Sequence, residues 1–238
     1  MKKHIPNLIT LCNLLCGVFA VIIAISGVLP FEIAAILIFA GAVFDFFDGF
    51  AARILKANSD IGKQLDSLSD LITFGFAPAA LVSSVIQHIL FGTVVTDVES
   101  VVWQEYVLFL TPFIIVPFSA LRLAKFNVDP RQSHTFIGLP TPANALFFAS
   151  IIFYPELSPI LLVFLSVAFS LLLVSEIPMF SLKFKTFALN DNKFRYSFLA
   201  ISVIILSIFQ LLALPFVILL YILTSVALYI ISKKNANL

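Results

Sequence analysis

The sequence predicts an all-α integral membrane protein, a bundle of about eight transmembrane helices with both termini on the cytoplasmic side. Three observations predict it. Of 238 residues, 61% are hydrophobic and only 11% charged, with a mean hydropathy of +1.11. Apolar runs of about 20 residues recur along the chain, each long enough to cross a hydrocarbon core of roughly 30 Å. Threading the chain from an inside N-terminus puts all 14 Lys and Arg on one side, while the opposite loops carry Glu32, Asp97, Glu99, Glu105 and Glu156. The positive-inside rule makes the basic side cytoplasmic. Shifting the span count by one would scramble this sorting, so the number of spans reads as even. The net charge of +1 is uninformative, and basic residues scattered in this way do not form a nucleic-acid surface.

The spans fall at roughly 8–27, 31–53, 67–90, 104–124, 141–155, 157–175, 196–212 and 215–232. The first begins basic and runs apolar like a secretory signal, but no A-x-A-like cleavage site follows and Lys2 and Lys3 complete the charge sorting. It therefore reads as a retained span. Cys12 and Cys16 lie i,i+4 on it as packing residues, too few and too close to the cytosol for a disulfide framework. Asn7, after Pro6, reads equally as a helix cap or a ligand contact. The second span carries Asp45 about 15 residues past Phe31, shallow on the inner side. The polar linker Lys56 to Lys63 turns the chain back, with Ser59 placed to cap the next helix and Asp60 as a solvated loop acid.

The outer loop at 91–103 has no catalytic content, and Trp103 and Tyr106 mark the interface. The fourth span ends in Arg122, Lys125 and Asn127, and Gly138-Leu139-Pro140-Thr141-Pro142-Ala143 opens the fifth. His134 between them has no partner at metal-ligand spacing. A later patch, 175–185, contains Lys183, and the last two spans read as apolar and silent on chemistry.

The chemistry concentrates between Asp45 and Asp70, reading DFFDGFAARILKANSDIGKQLDSLSD. An aspartate at a membrane-helix centre costs roughly 2.5 to 3.5 kcal/mol, so four unpaired ones would cost on the order of 10 kcal/mol. On helices, Asp45 and Asp48 (i,i+3) share one face, as do Asp66 and Asp70 (i,i+4). Two such helices meeting would converge four carboxylates, an all-oxygen site suited to hard divalent cations such as Mg²⁺ or Mn²⁺. The stretch contains no His or Cys, which argues against zinc. Gly49 and Gly62 would let a bulky polar ligand approach the backbone, and Arg53 is a fixed charge suited to phosphate. There is no Walker-type loop, no nucleophilic Ser or Cys with a nearby base, and no repeat of 20 to 50 residues.

The pattern Asp45-x-x-Asp48-Gly49-x-x-Ala52-Arg53, eight residues, Gly62-x-x-x-Asp66-x-x-x-Asp70 resembles the complete signature of the CDP-alcohol phosphatidyltransferases. The stretch around Arg122, Lys125 and Asn127 and the GLPTPA segment resemble the phosphatidylserine synthase branch, with Lys125 where arginine is common. This substitution keeps the charge and loses the bidentate fork. The resemblance implies a family core over 1–195, about six transmembrane helices, with 196–238 as two additional C-terminal helices. It implies transfer of the phosphatidyl group from CDP-diacylglycerol to L-serine with release of CMP, in the cell membrane and facing the cytoplasm, by a homodimer.

The same resemblance implies two divalent cations, Mg²⁺ or Mn²⁺, held by Asp45, Asp48, Asp66 and Asp70. Asp45 and Asp66 would bridge both, Asp48 would complete one site, and Asp70 would touch the other and act as general base. The donor-binding candidates are Asn7, Gly49, Arg53, Ser59 and Gly62. The weaker serine-binding candidates are Arg122, Lys125 and Lys183. Acceptors such as glycerol 3-phosphate or inositol phosphate would bring a phosphate and favour a more basic pocket. A cation or proton transporter would place its carboxylates near the midplane between two repeats, not shallowly in one half of the chain. A lipid-binding scaffold would have no need to tolerate four acids.

Overall fold

The computed structural model describes residues 4–57, 59–94, 101–129, 131, 136–180 and 192–236. It is all-helical apart from one two-residue strand pair. In chain order the elements are α1 (Ile5–Ser26), α2 (Phe31–Ile54), α3 (Asp60–Phe91), α4 (Trp103–Val128), β1 (Phe136–Ile137), α5 (Thr141–Ile151), α6 (Pro159–Val174), β2 (Pro178–Met179), α7 (Lys193–Phe209) and α8 (Leu214–Ala236). Two helices change winding along their length. α3 contains a π-helical turn at Leu71–Phe76, and α4 a 3₁₀ turn at Thr111–Ile114, where Pro112 interrupts the ladder.

Among the described residues, five helical stretches are long and apolar enough to cross a membrane: α1, α2, α3, α4 and the run Arg195–Ile231 through α7 and α8. The expected fifth and sixth spans form shorter helices. α5 stops at Ile151, before a turn at 152–155, and α6 has 16 residues. The third helix starts earlier than expected because Ser59 caps it: its hydroxyl accepts from the Gly62 amide at 3.0 Å. Asp60 is therefore the first helical residue, exposed and in the first turn, where a negative charge suits the helix dipole.

The centre of the bundle is where α1, α2 and the π turn of α3 meet at Thr73, which is fully buried. A Cβ on Gly17 of α1 would lie 2.7 Å from the Thr73 Cα, and one on Gly41 of α2 would lie 2.9 Å from the Asn13 Oδ1. Neither glycine has room for a side chain. With no hydrophobic drive between helices in lipid, close backbone contact and hydrogen bonding must hold the bundle. The Thr73 hydroxyl donates to the Asn13 carbonyl at 2.9 Å, and the Ser69 hydroxyl donates to the Thr10 carbonyl at 3.1 Å. These bonds fix the register of α3 against α1.

α4 packs on the π turn and on α6, and α5 packs against α2, the π turn and α8. β1 and β2 pair antiparallel, Phe136 with Met179 and Ile137 with Pro178. The Leu139 amide donates to the Leu172 carbonyl at 2.9 Å, tying the start of α5 to the end of α6. α8 braces this strand pair, since Tyr221 donates to the Phe180 carbonyl at 3.2 Å and the Phe180 amide donates to Ser225 at 3.4 Å.

Gly17→Ala should push α1 away from the π turn, and overpacking of this kind costs about 1 to 3 kcal/mol. The expected result is a melting temperature in detergent several degrees below that of the parent protein. An unchanged melting temperature would mean that the contact at Thr73 does not set the helix spacing.

Candidate functional site

The last three turns of α2 and the first three turns of α3 bring their acids together. Asp45, Asp48 and Asp66 each present a carboxylate oxygen, and the three oxygens lie within 4.8 Å of one another. Asp48 is buried, and its Oδ2 has no hydrogen-bond partner. At an effective dielectric of about 20, two charges this close repel by about 3.5 kcal/mol or more. A cation among these oxygens would relieve that repulsion. An oxygen-only trio with an unsatisfied buried acceptor fits a hard divalent ion.

Asp70 stands behind the trio. It is 8% exposed, accepts from the Asn13 amide at 3.4 Å, and adjoins the carboxyl of Asp45. The turn of α3 that carries it leads directly into the π turn, so the bonds from Ser69 and Thr73 to α1 also fix Asp70. Thr10 of α1 lies beside the Asp48 side chain, its hydroxyl donating to the Pro6 carbonyl at 3.0 Å.

On one side the acids open into a cavity of about 500 Å³, whose lining includes Asn7, Thr10, Gly49, Ser59, Gly62 and Lys63 as well as Asp48 and Asp66. Four of the five donor-binding candidates thus share one cavity with two of the acids. Ser59 both caps α3 and lines the cavity, and Asn7 lies in the first turn of α1. A Cβ on Gly49 would have only Arg53 near it, at 4.0 Å, so the backbone there is open to a ligand. Gly62 is instead packed: a Cβ would lie 3.0 Å from the Ser59 hydroxyl and 3.1 Å from the Asn7 Oδ1. The remaining candidate, Arg53, is exposed and folds back so that its Nε donates to the Gly49 carbonyl at 3.0 Å. Asp60 lines the same cavity.

Arg122 of α4 does not line that cavity and is 5% exposed. It interacts electrostatically with Asp70 and Asp45, donates to the Thr141 hydroxyl at 3.2 Å, and packs over the Phe126 ring at 4.9 Å. Lys125 points away from the acids: it is exposed, reaches the Val174 carbonyl at 3.5 Å, and lies 3.9 Å from Glu176. Arg131 bridges Asp129 at 2.7 Å and Glu176 at 3.6 Å at the same rim. Its hydrogen bonds hold the Asp129 carboxyl below its ordinary range. Lys183 and His134 lie outside the described residues.

The sequence reading missed Thr10, Asn13, Lys63 and Tyr221. The first two had a signal, since Pro6, Thr10, Asn13 and Gly17 form a buried small and polar stripe at helical spacing on an otherwise apolar helix. Lys63 lines the cavity and donates to the Asn127 carbonyl at 3.1 Å, joining α3 to α4. Tyr221 lies near Arg122 although it belongs to a helix that read as silent, and its hydroxyl donates to the Phe180 carbonyl at 3.2 Å. One tyrosine in an apolar span gives no signal of its own.

The CDP-alcohol phosphatidyltransferase family profile matches residues 3–175. The chain is similar to a CDP-diacylglycerol--serine O-phosphatidyltransferase of Bacillus subtilis, 37% identical over 177 residues, which cover 74% of this chain and 89% of that protein. It is also similar to an archaetidylserine synthase of Methanothermobacter thermautotrophicus, 35% identical over 179 residues, 73% of this chain and 68% of that one. A CDP-diacylglycerol--serine O-phosphatidyltransferase of Helicobacter pylori is 32% identical over 143 residues, 59% of this chain and 54% of that one.

Asp48→Asn should remove one anionic oxygen from the trio. Affinity at such sites follows ligand charge, so Mn²⁺ binding followed by electron paramagnetic resonance should weaken about tenfold or more. Affinity equal to the parent protein would exclude Asp48 from the ion site.

Proposed function

The chain belongs to the CDP-alcohol phosphatidyltransferase family, and from that premise we propose that it is a phosphatidylserine synthase, transferring the phosphatidyl group of CDP-diacylglycerol to the hydroxyl of L-serine and releasing CMP. One observation carries the reading: two acids of the cluster, Asp48 and Asp66, line a cavity of about 500 Å³, and the other two, Asp45 and Asp70, interact with the buried Arg122, which does not line it. A nucleotide-bearing donor and a small anionic acceptor can meet at the cluster. The relatives named above are all named for serine transfer or a serine-bearing lipid product, which favours serine as acceptor.

Asp45, Asp48 and Asp66, with Asp70 beside them, would hold two divalent cations, Mg²⁺ or Mn²⁺. Bound there, these cations would neutralise the donor pyrophosphate and polarise the phosphorus under attack. Asn7, Gly49, Ser59 and Gly62 receive the nucleotide in the cavity, with Arg53 at its rim for phosphate. Arg122 meets the serine carboxylate, with Lys125 and Lys183 as weaker contacts.

Asp70 takes the proton from the serine hydroxyl as that oxygen attacks the lipid-side phosphorus. The bond from phosphorus to the CMP oxygen breaks, and CMP leaves. A carboxylate is a weak base for an alcohol, so proton transfer accompanies attack and does not precede it.

The reading includes eight spans, cytoplasmic termini, a core over 1–195 with two added helices over 196–238, and a homodimer in the cell membrane with its site toward the cytoplasm. The family match over residues 3–175 supports the core, and the exposed Phe46, Phe47 and Phe50 beside the acids suit a lipid-facing surface for the donor's acyl chains.

The test incubates purified protein with CDP-diacylglycerol, divalent metal and labelled L-serine, with glycerol 3-phosphate and inositol phosphate in parallel. Serine-dependent CMP release that a chelator abolishes is expected. Release with another acceptor alone would overturn the assignment of serine. Asp70→Asn should abolish turnover while retaining donor binding, and normal turnover would remove Asp70 from the base role.

A further inference from the structure

Three buried residues, Arg122 among them, have polar atoms without partners: the Nε of Arg122, the hydroxyl of Ser119, and both amide atoms of Asn144. Ser119 and Asn144 are 0% exposed. Their positions are related. Ser119 lies one turn before Arg122 on α4, and Asn144 lies one turn after Thr141, which accepts from Arg122 at 3.2 Å, on α5. Both helices pack on the π turn that follows Asp70, and Ser119 faces Gly75 of that turn. The unpartnered groups thus belong to helices that share the π turn after Asp70, and none of them lines the cavity of about 500 Å³.

An asparagine with neither amide atom bonded is costly in an apolar interior, and a leucine of similar volume would pack there without that penalty. An amide supplies two donors and one acceptor, so it can serve a carboxylate and an ammonium together. The guanidinium beside it supplies the charge for the carboxylate.

We infer that Asn144, Ser119 and the Nε edge of Arg122 form the subsite that grips an α-amino acid by its carboxylate and ammonium groups. This rests on the phosphatidylserine synthase reading above and adds Asn144 to it as the residue that sets acceptor specificity. Nε of Arg122 and Nδ2 of Asn144 donate to the carboxylate, Oδ1 of Asn144 accepts from the ammonium, and the Ser119 hydroxyl completes the set. A phosphate-bearing acceptor would bring greater negative charge to a neutral amide and a single guanidinium, because Lys125 is turned to the Val174 carbonyl and Glu176. The subsite thus favours a zwitterion with one carboxylate, its hydroxyl directed at Asp70.

The test compares Asn144→Leu and Asn144→Ala with the parent protein in detergent, reading the KM for serine, the KM for CDP-diacylglycerol and the melting temperature. The expected result is a serine KM raised about tenfold or more, from lost hydrogen bonds to charged groups. The donor KM should stay within about twofold and the melting temperature should not fall in the leucine variant, since no bond in the protein is broken. A serine KM equal to the parent's would overturn the inference. So would a lowered melting temperature or failure to fold in both variants, which would make Asn144 a structural residue. Absence of serine-dependent CMP release in the parent protein would instead overturn the synthase reading itself, before any variant is compared.

Discussion

Close approach of three helices at Thr73 is the contact on which the site depends. Gly17 and Gly41 leave no side chain between α1, α2 and the π turn, and the Thr73 hydroxyl bonds the Asn13 carbonyl at the point of contact. In lipid, where apolar contact between helices gains little, such small-residue packing and hydrogen bonding have to set the spacing. From that fixed point the chain needs only one helical turn on each side to carry acids to the same place. Gly41 precedes Asp45 by four residues, and Asp70 precedes Thr73 by three. The spacing that packs the helices therefore also converges the carboxylates.

Convergence has an electrostatic cost that the surroundings only partly offset. Asn13 donates to Asp70, Thr10 lies beside Asp48, and Arg122 lies near Asp45 and Asp70. One guanidinium does not balance four carboxylates, and the unsatisfied Oδ2 of Asp48 marks where the remainder is felt. The two sides of the cluster differ accordingly. The cavity side carries small and polar groups, Gly49 and Ser59 among them, that admit a large ligand. Arg122 is instead buried, donating to Thr141 at the start of α5. A large donor and a small acceptor approaching the same acids would need that asymmetry.

The outer rim shows why basic residues near one another in sequence have different roles. Arg122 and Lys125 lie three residues apart on α4, yet one is buried against Thr141 and the other is exposed beside Glu176. A helix that meets α5 on one side and the β2 segment on the other separates such neighbours. No sequence rule ranks the two without knowledge of those contacts.

The sequence alone determined the helical, strongly apolar character of the chain, the pairing of Asp45 with Asp48 and of Asp66 with Asp70 on helix faces, and the all-oxygen chemistry of the cluster they form. These follow from local quantities: hydropathy, helical period and the cost of charge in an apolar run. The signature picked out Gly49 and Gly62, and the wider resemblance Asn7 and Ser59, as candidates that the structure places along one cavity. Only the tertiary structure decided that Asp45, Asp48 and Asp66 form the close trio with Asp70 behind them, because that depends on how α2 crosses α3. It alone brought Tyr221 near Arg122 and left Asn144 buried without a partner. Those relations join residues up to 99 positions apart in the chain. They arise from packing between helices whose sequences carry no record of one another.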